Sequence, residues 1–572
     1  VNRVKEGGGA GARTASVGYP AVGEPTRSGP FAGFGSCGLR GEELMHQQAS
    51  GIISMKKQGY LGIDIGTQGL SVIFTDEAMR ILSAGEGDYA MVAGLPAECQ
   101  EQQPADWEQA LAAAMGDLRK KLGSLGLEME VRAIGISGQM HGEVLVGSAG
   151  VPLAAARLWC DGRNEAEGHE LTALFDTKVP KRMTAARWLW TIRSQPEKAS
   201  HVVRITTPAG WIAHVLTGGF SLGIGDAAGM FPIDHATLDY DAQRLADFDA
   251  LVARTCKAAA VKPLRDLLPE VRRAGEDGGA LNARGAALLG LPQGIPVAPA
   301  EGDQPAALAG SLIAEAGTVS MSFGTSVVAN SVGDRPFKGV DRAIDHFCAP
   351  DGKPINMVWL RNGTTAMNAV VEMFGKVASS GRGDAFATVI PQLLAAPDDC
   401  GGLQALPFMD DEPGAGVSRG GTSLVIGLNE QSATPGNVAK AMLLATIFNL
   451  RMGSEGLDTQ GFPRTEIVLS GGITKTPELA QLVADAFHVP VVILAGAVEG
   501  TALGAALMAK FRDEKLARKG GDWQAFLASH ATDSTRRFSP RSATAATFDR
   551  MYARHKKLVA LHGQLDAAVV AG

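Results

Sequence analysis

One pattern occurs twice in this chain and limits its fold more than any other feature. Tyr60-Leu61-Gly62-Ile63-Asp64-Ile65 is a short apolar run, followed by Gly66-Thr67-Gln68-Gly69 and then by Leu70-Ser71-Val72-Ile73-Phe74. The layout returns at Val319-Ser320-Met321-Ser322-Phe323, Gly324-Thr325-Ser326 and Val327-Val328-Ala329-Asn330. Each copy predicts a strand, a glycine-bearing turn and a returning strand. A second echo follows each hairpin: Val131 to Gly138 and Glu466 to Gly472 both read as strands running into Ser-Gly. Two echoes in the same order predict an internal duplication, with two related α/β halves facing each other and a boundary near residues 305–315. Apolar residues at three- and four-residue spacing predict helices from Trp107 to Leu122 and from Pro477 to Phe487.

A chain of 572 residues, 45% hydrophobic and 20% charged, has room for two large domains with sizeable cores, which excludes disorder over most of its length. Its 72 glycines against 5 tyrosines call for many tight turns or close backbone approaches. A formal net charge of −7 argues against a sequence-independent grip on nucleic acid or an anionic membrane, so small molecules are the expected partners. No apolar run reaches the roughly 18 residues that span a bilayer. The six cysteines are widely scattered, which predicts reduced thiols in a cytoplasmic protein with neither a zinc cluster nor a disulfide framework. Residues 1–54, broken by Gly7-Gly8-Gly9, Pro20, Pro25 and Pro30, read as a disordered or non-native extension, with Met55 or Met45 as the expected native start. A targeting segment is the weaker alternative, given the mixed charges of Arg3, Glu6, Glu24 and Arg27.

A glycine-threonine tip offers backbone N–H groups and a hydroxyl with no side chain in the way, which suits phosphate oxygens. One such tip is usually an ordinary turn; two, at the same place in two half-domains, point to phosphate. Asp64 ends an apolar strand, where an unpaired carboxylate is costly. It is either a turn cap or a carboxylate holding Mg²⁺, directly or through water. His141 alone reads as a satisfied loop histidine, and Trp159 alone as core.

Taken together, these segments resemble the FGGY family of carbohydrate kinases, from Tyr60 to about Lys510. The resemblance implies two actin-like, hexokinase-like (ribonuclease H-like) α/β ATPase domains flanking a cleft. Residues 55–310 would carry the sugar site, the first phosphate segment and the catalytic base; residues 311–572 would carry the second phosphate segment and the adenosine site. Gly62 to Thr67 is similar to the family's first phosphate segment, Gly324-Thr325-Ser326 to the second, and Ser470-Gly471-Gly472 with Glu499 to Ala505 to its adenosine segment, where Gly504 would let a helix pack closely. ATP would thus be held by Thr67, Gln68, Gly324, Thr325, Ser326, Gly471, Gly472 and Lys475, with Mg²⁺ at Asp64.

Within the family, Gly138-Gln139-Met140-His141-Gly142 and Leu158-Trp159-Cys160-Asp161-Gly162-Arg163 are similar to segments that line the sugar pocket of xylulokinases. Met140, His141, Trp159, Asp161, Asp303 and Gln304 are the implied sugar ligands. Asp303, in Glu301-Gly302-Asp303-Gln304 after an expected strand at Ile295 to Ala298, is the implied base that takes the sugar hydroxyl's proton. Asp226, also flanked by glycines, is read as structural, organising the sheet of the sugar domain. Three features depart from the pattern. Gln304 stands where xylulokinases commonly carry Asn and glycerol kinases carry Gln, the acidic-proline loop is altered at Pro407 to Pro413, and the polar segment Met357 to Thr365 matches no family role.

The expected activity is therefore ATP-dependent phosphorylation of a ketopentose, D-xylulose to D-xylulose 5-phosphate. The alternatives are a family kinase for ribulose, a tetrulose or a polyol, and a catalytically silent sugar sensor of the same fold. A homodimer is left open.

Overall fold

The computed structural model describes residues 55–257, 260–378, 384–494, 500–519, 521–531 and 535–570. The expected extension at 1–54 lies outside them. The first hairpin forms as the sequence predicts, from β1 (Met55–Ile65) and β2 (Gly69–Asp76), with β3 (Ile81–Asp88) continuing the antiparallel meander. Helix α1 (Pro104–Ser124) starts on a proline suited to a first turn and buries Trp107, Leu111, Met115, Leu118 and Leu122. It returns the chain to β4 (Leu127–Gly138), which lies parallel to β1. The two-residue strand β5 (Glu301–Gly302) pairs in parallel on the other side of β4 and runs straight into α2 (Asp303–Gly310). The sheet order is β5-β4-β1-β2-β3.

The second half repeats this plan. Strands β6 (Thr318–Phe323) and β7 (Val327–Val332) make the second hairpin, and β8 (Ile344–Cys348) and β9 (Pro354–Leu360) extend it. Strand β10 (Glu466–Gly471) lies parallel to β6, as β4 does to β1. Helix α3 (Ala480–Phe487) follows, then β11 (Val491–Leu494), helix α4 (Gly500–Leu516) and β12 (Thr535–Phe538), giving the order β8-β9-β7-β6-β10-β11-β12. One core holds the first sheet and takes in Phe347, Ile355, Met357 and Val468 from the second, while Val319, Met321, Phe323 and Leu469 of the second sheet pack in another.

The predicted strand at 295–298 is reduced to two isolated bridges, Val297 with Ile134 and Pro296 with Ala280. Pro296 and Pro299 bracket Val297, and proline cannot donate to a ladder. Helix α4, which lies in the second half of the sequence, packs onto the first sheet. A Cβ at Gly62 would stand 2.1 Å from Ala502 O, one at Gly135 would stand 1.8 Å from Ala505 O, and one at Gly504 would stand 1.8 Å from Ala306 O. The close packing expected at Gly504 is thus a three-way contact between α4, α2 and the β1–β4 surface. Among the described residues no helix is long and apolar enough to cross a membrane.

Candidate active site

Three parallel strands end side by side, and that register gathers residues far apart in sequence. Asp64 is level with Ser137, which is level with Glu301; one step further, Ile65, Gly138 and Gly302 are aligned. The loops that follow therefore bring Gly66-Thr67, Gln139-Met140-His141 and Asp303-Gln304 to one edge, outside the carboxyl ends of the strands. The second sheet does the same: Phe323 is paired with Gly471, so Gly324-Thr325-Ser326 and Gly471-Gly472 adjoin.

Between the two edges lies a cavity of about 190 Å³. Since water takes about 30 Å³ of liquid volume, this suits a small sugar rather than an oligosaccharide. Its first-half wall contains Thr67, Met140, His141, Trp159, Asp303 and Gln304, and its second-half wall contains Ser326, Val328, Met357 and Trp359. Arg182 completes it.

Asp303 opens α2, enclosed by protein on every side but the pocket. Loss of water, and next the charge of Asp64, push its carboxyl up to about 7, opposed by hydrogen bonding from Gln304 and Met140. A carboxylate tuned near neutrality is suited to accept a proton. Met140 sits where a side chain on residue 302 would be: a Cβ at Gly302 would fall 2.3 Å from Met140 Cγ. His141 holds a left-handed backbone (φ 66°), with Nδ1 2.9 Å from the Gly229 carbonyl oxygen. A carbonyl only accepts, so Nδ1 carries the hydrogen and Nε2 is left as an acceptor. Burial keeps the ring neutral, its pKa lowered to about 3.

Trp159 donates from Nε1 to Thr67 Oγ1 at 2.9 Å, which ties the sugar wall to the first phosphate turn. Gln68 is exposed at the tip of that turn. The two turns close alike: the Gly66 amide donates to Gly69 O, and the Gly324 amide to Ser326 O, both at 2.9 Å. Thr325 and Lys475 are exposed, as are Gly471 and Gly472. Gly471 takes φ 81°, with Phe323 O 2.4 Å from where a Cβ would stand, so the strand can end there only on glycine. Glu499 lies outside the described residues.

Asp64 Oδ2 accepts from Thr501 Oγ1 of α4 at 2.6 Å, while the buried Oδ1 has no partner. A free carboxylate oxygen beside the phosphate turn fits a magnesium ion or one of its waters. Burial raises the pKa of this carboxyl.

One expectation needs correction in place. Asp161 is fully buried, but it does not line the cavity. Its carboxylate accepts from the Gln100 amide at 2.9 Å and from Arg163 Nη2 at 2.6 Å, so it braces the Trp159 loop. Asp226, read as structural, is joined through its amide to Glu301 of the edge strand β5. It lies in the short helix Ile224–Met230, where Oδ2 accepts from Thr207 Oγ1 at 2.5 Å and Oδ1 has no partner. Glu301 caps that helix, accepting from the Gly225 and Asp226 amides at 3.2 and 2.9 Å. Asp226 thus belongs to a buried acidic cluster behind Asp303.

The segment Met357 to Thr365 has a role that its sequence did not disclose. Met357 and Trp359 form the cavity wall. The Gly363 amide donates to Thr325 O and the Thr364 amide to Gly324 O, both at 2.9 Å, which fixes the second phosphate turn. The altered acidic loop serves the same brace, Glu412 accepting from the Asn362 amide at 2.9 Å. Arg182 and Val328 were missed as well; they carry no motif, and only the meeting of the two halves makes them neighbours.

This arrangement places a proton acceptor in a sugar-sized cavity beside two glycine-threonine turns. Residues 59–310 match the N-terminal domain of the FGGY family of carbohydrate kinases, and residues 319–511 match its C-terminal domain. The chain belongs to this family. Its two actin-like, hexokinase-like α/β domains flank the cleft, and its activity is that of a kinase acting on a small carbohydrate.

It is 27% identical over 476 residues to the xylulose kinase of Haemophilus influenzae, covering 79% of this chain and 90% of that protein. The crystal structure of xylulose kinase from Rhodospirillum rubrum superimposes with a TM-score of 0.74 at 23% identity, covering 88% of this chain and 98% of that one. Gluconate kinase from Lactobacillus acidophilus has the same score, 0.74, at 18% identity, covering 89% and 99%. At such identities the solved structures speak to the fold alone.

Proposed function

We propose that the protein is a cytoplasmic, ATP- and Mg²⁺-dependent kinase converting D-xylulose to D-xylulose 5-phosphate. The observation that carries this reading is the cavity itself: Asp303 lines it together with Met140, His141 and Trp159, and Thr67 and Ser326 bring one residue of each glycine-threonine turn to it from the two sides. Apolar Met140, Trp159, Val328, Met357 and Trp359 suit the C–H faces of a sugar, and the acceptor Nε2 of His141 suits a hydroxyl. The names of the relatives favour a ketopentose.

The sugar's terminal hydroxyl is a poor nucleophile until its proton leaves, and Asp303 is the group placed to take it as the bond to phosphorus forms. The amides of Gly66 and Gly324 close their own turns, and the other backbone N–H groups of these two turns hold the phosphates. Asp64 is the residue that would hold Mg²⁺, which supplies neutralisation of the phosphate charge. The tryptophan and methionine walls exclude water, which would otherwise receive the phosphoryl group in place of the sugar.

The test is sugar-dependent ADP release across D-xylulose, D-ribulose, a tetrulose and polyols. D-Xylulose should give the highest kcat/KM. A higher value with any of the others would overturn the assignment.

A further inference from the structure

Arg182 lies between the helices Glu165–Phe175 and Thr184–Ser194, in the first half of the chain, yet its guanidinium is paired with Asp345 of β8 in the second half. Asp345 also holds Lys178 Nζ at 2.9 Å. Asp345 is the one ion-pair partner of Arg182 among the described residues, and Arg182 also lines the sugar cavity, where the charge of Asp303 acts on it.

The register of the second sheet shows where this places it. Asn330, Met357 and Asp345 are directly opposite one another on β7, β9 and β8, so their side chains share one face. Asn330 holds Gln304, the neighbour of the base, at one end of that row, and Asp345 holds Arg182 at the other. Two inter-strand steps of about 4.8 Å put the Asn330 and Asp345 backbones roughly 10 Å apart, so Gln304 and Arg182 are held from opposite ends of the row. A sugar lying along that row with one hydroxyl at Asp303 would reach Arg182 further along its chain.

A guanidinium only donates, and does so from a planar fork. A polyol hydroxyl at that place would bring a hydrogen that Arg182 cannot accept. A ketone oxygen with the hydroxyl oxygen of the next carbon offers two acceptors in nearly one plane, which matches the fork. Asp345, which Arg182 shares with Lys178, and the charge of Asp303 both oppose the charge of Arg182, so a neutral ligand fits better than an anionic one.

We propose that Arg182 is the specificity-determining residue of the sugar cavity, donating to the carbonyl and adjacent hydroxyl oxygens of an α-hydroxyketone and so selecting a ketose over the polyol of the same length. This rests on the ketopentose reading above and adds the residue that enforces it.

The experiment compares kcat/KM for D-xylulose, xylitol and the five-carbon aldonate in the wild type, Arg182→Gln and Arg182→Lys, with melting temperature and KM for ATP as controls of folding. The wild type should prefer xylulose to xylitol by about 10²-fold, because a site built to pair with a polar group rejects the analogue that mismatches it. Arg182→Gln should lose most of that preference through a higher KM for xylulose, with xylitol little changed, and Arg182→Lys should retain part of it. Equal turnover of ketose and polyol by the wild type overturns the proposal. So does an unchanged ratio in Arg182→Gln with both substrates lowered alike, which would make Arg182 a strut between the domains. Faster turnover of the aldonate than of xylulose overturns it in favour of a carboxylate. A wild type inactive on every ketose removes the ketopentose reading itself, whereas xylulose turnover without ketose preference removes only the role of Arg182.

Discussion

Asn330 of the second sheet donates from Nδ2 to Gln304 Oε1 at 2.9 Å, so the residue beside Asp303 is held from across the cleft. Gln304 is one methylene longer than the Asn common at this place in xylulokinases, and that length is what spans the gap. Gln304→Asn should therefore release the contact and lower kcat/KM for sugar by about five- to tenfold, since a lost hydrogen bond of this kind is worth about 1 kcal/mol or somewhat above. KM for ATP should hardly move. Steady-state kinetics with each substrate varied in turn distinguish this from a general loss of activity, in which both parameters would worsen together.

The Asp303 carboxyl, raised to about 7, must be ionised to accept a proton. Below that pH the protonated fraction grows, so kcat/KM for sugar should fall tenfold per unit on the acid side and level off above about pH 7.5. Asp303→Asn should abolish transfer and leave nucleotide binding largely intact. A profile flat from pH 5.5 to 8.5, or near-normal turnover by the variant, would remove Asp303 from the role of base.

Asp64 keeps one oxygen bound to Thr501 and the other without a protein partner. Asp64→Asn preserves the Thr501 contact while removing the charge. It should raise the Mg²⁺ concentration needed for half-maximal activity by more than tenfold, and leave binding of metal-free ATP unchanged or slightly tighter. Magnesium titrations at fixed ATP, with calorimetry of ATP in chelator, separate the two. A magnesium requirement equal to that of the wild type would show that the carboxylate serves only to hold the end of α4.

The hairpins, the duplication and the residues at strand ends were legible because they depend on local chemistry: apolar alternation makes the strands, and glycine-threonine makes the turns. Met140, His141 and Trp159 could be placed for the same reason, each lying within a short motif. Arg182, Val328, Met357 and Trp359 could not. Their role arises only when the second sheet is laid against the first, and no spacing in the sequence encodes that contact. Asp161 illustrates the opposite error: a charged residue in a substrate-like motif is spent on Arg163, because a buried carboxylate takes the strongest donors within reach.

The glycines divide into two kinds that mutation should tell apart. At Gly135 a Cβ would collide with Ala505 O at 1.8 Å, whereas at Gly324 its nearest neighbour, Ser326 O, is 3.6 Å away. Gly135→Ala should force α4 off the sheet and cost about 1–3 kcal/mol, as overpacking does. Gly324→Val should fold with a near-normal melting temperature and raise KM for ATP several-fold, because its side chain occupies the space over the phosphate turn. Thermal melts with and without ATP, alongside kinetics, check both. Equal destabilisation by the two variants would show that the second turn is a packing element.

The acidic cluster behind the base should give the fold an unusual pH dependence. Burial raises Asp226 to about 8, with the charge of Asp303 adding to it, and raises Glu301 to about 8, with the charge of Asp226 adding to it. In the unfolded chain both return to the ordinary carboxylate range near 4. Between these limits the folded protein keeps protons that the unfolded chain has lost, so stability falls as pH rises and the loss is complete above about pH 8. The slope can approach about 1.4 kcal/mol per pH unit for each group. Asp226→Asn keeps an oxygen for Thr207 but has no proton to lose. Its melting temperature should gain on the wild type most steeply between about pH 5 and pH 7, with the gain levelling off above about pH 8. Parallel melting curves across that interval would mean that Asp226 is ionised in the folded state, held by more than the Thr207 hydroxyl.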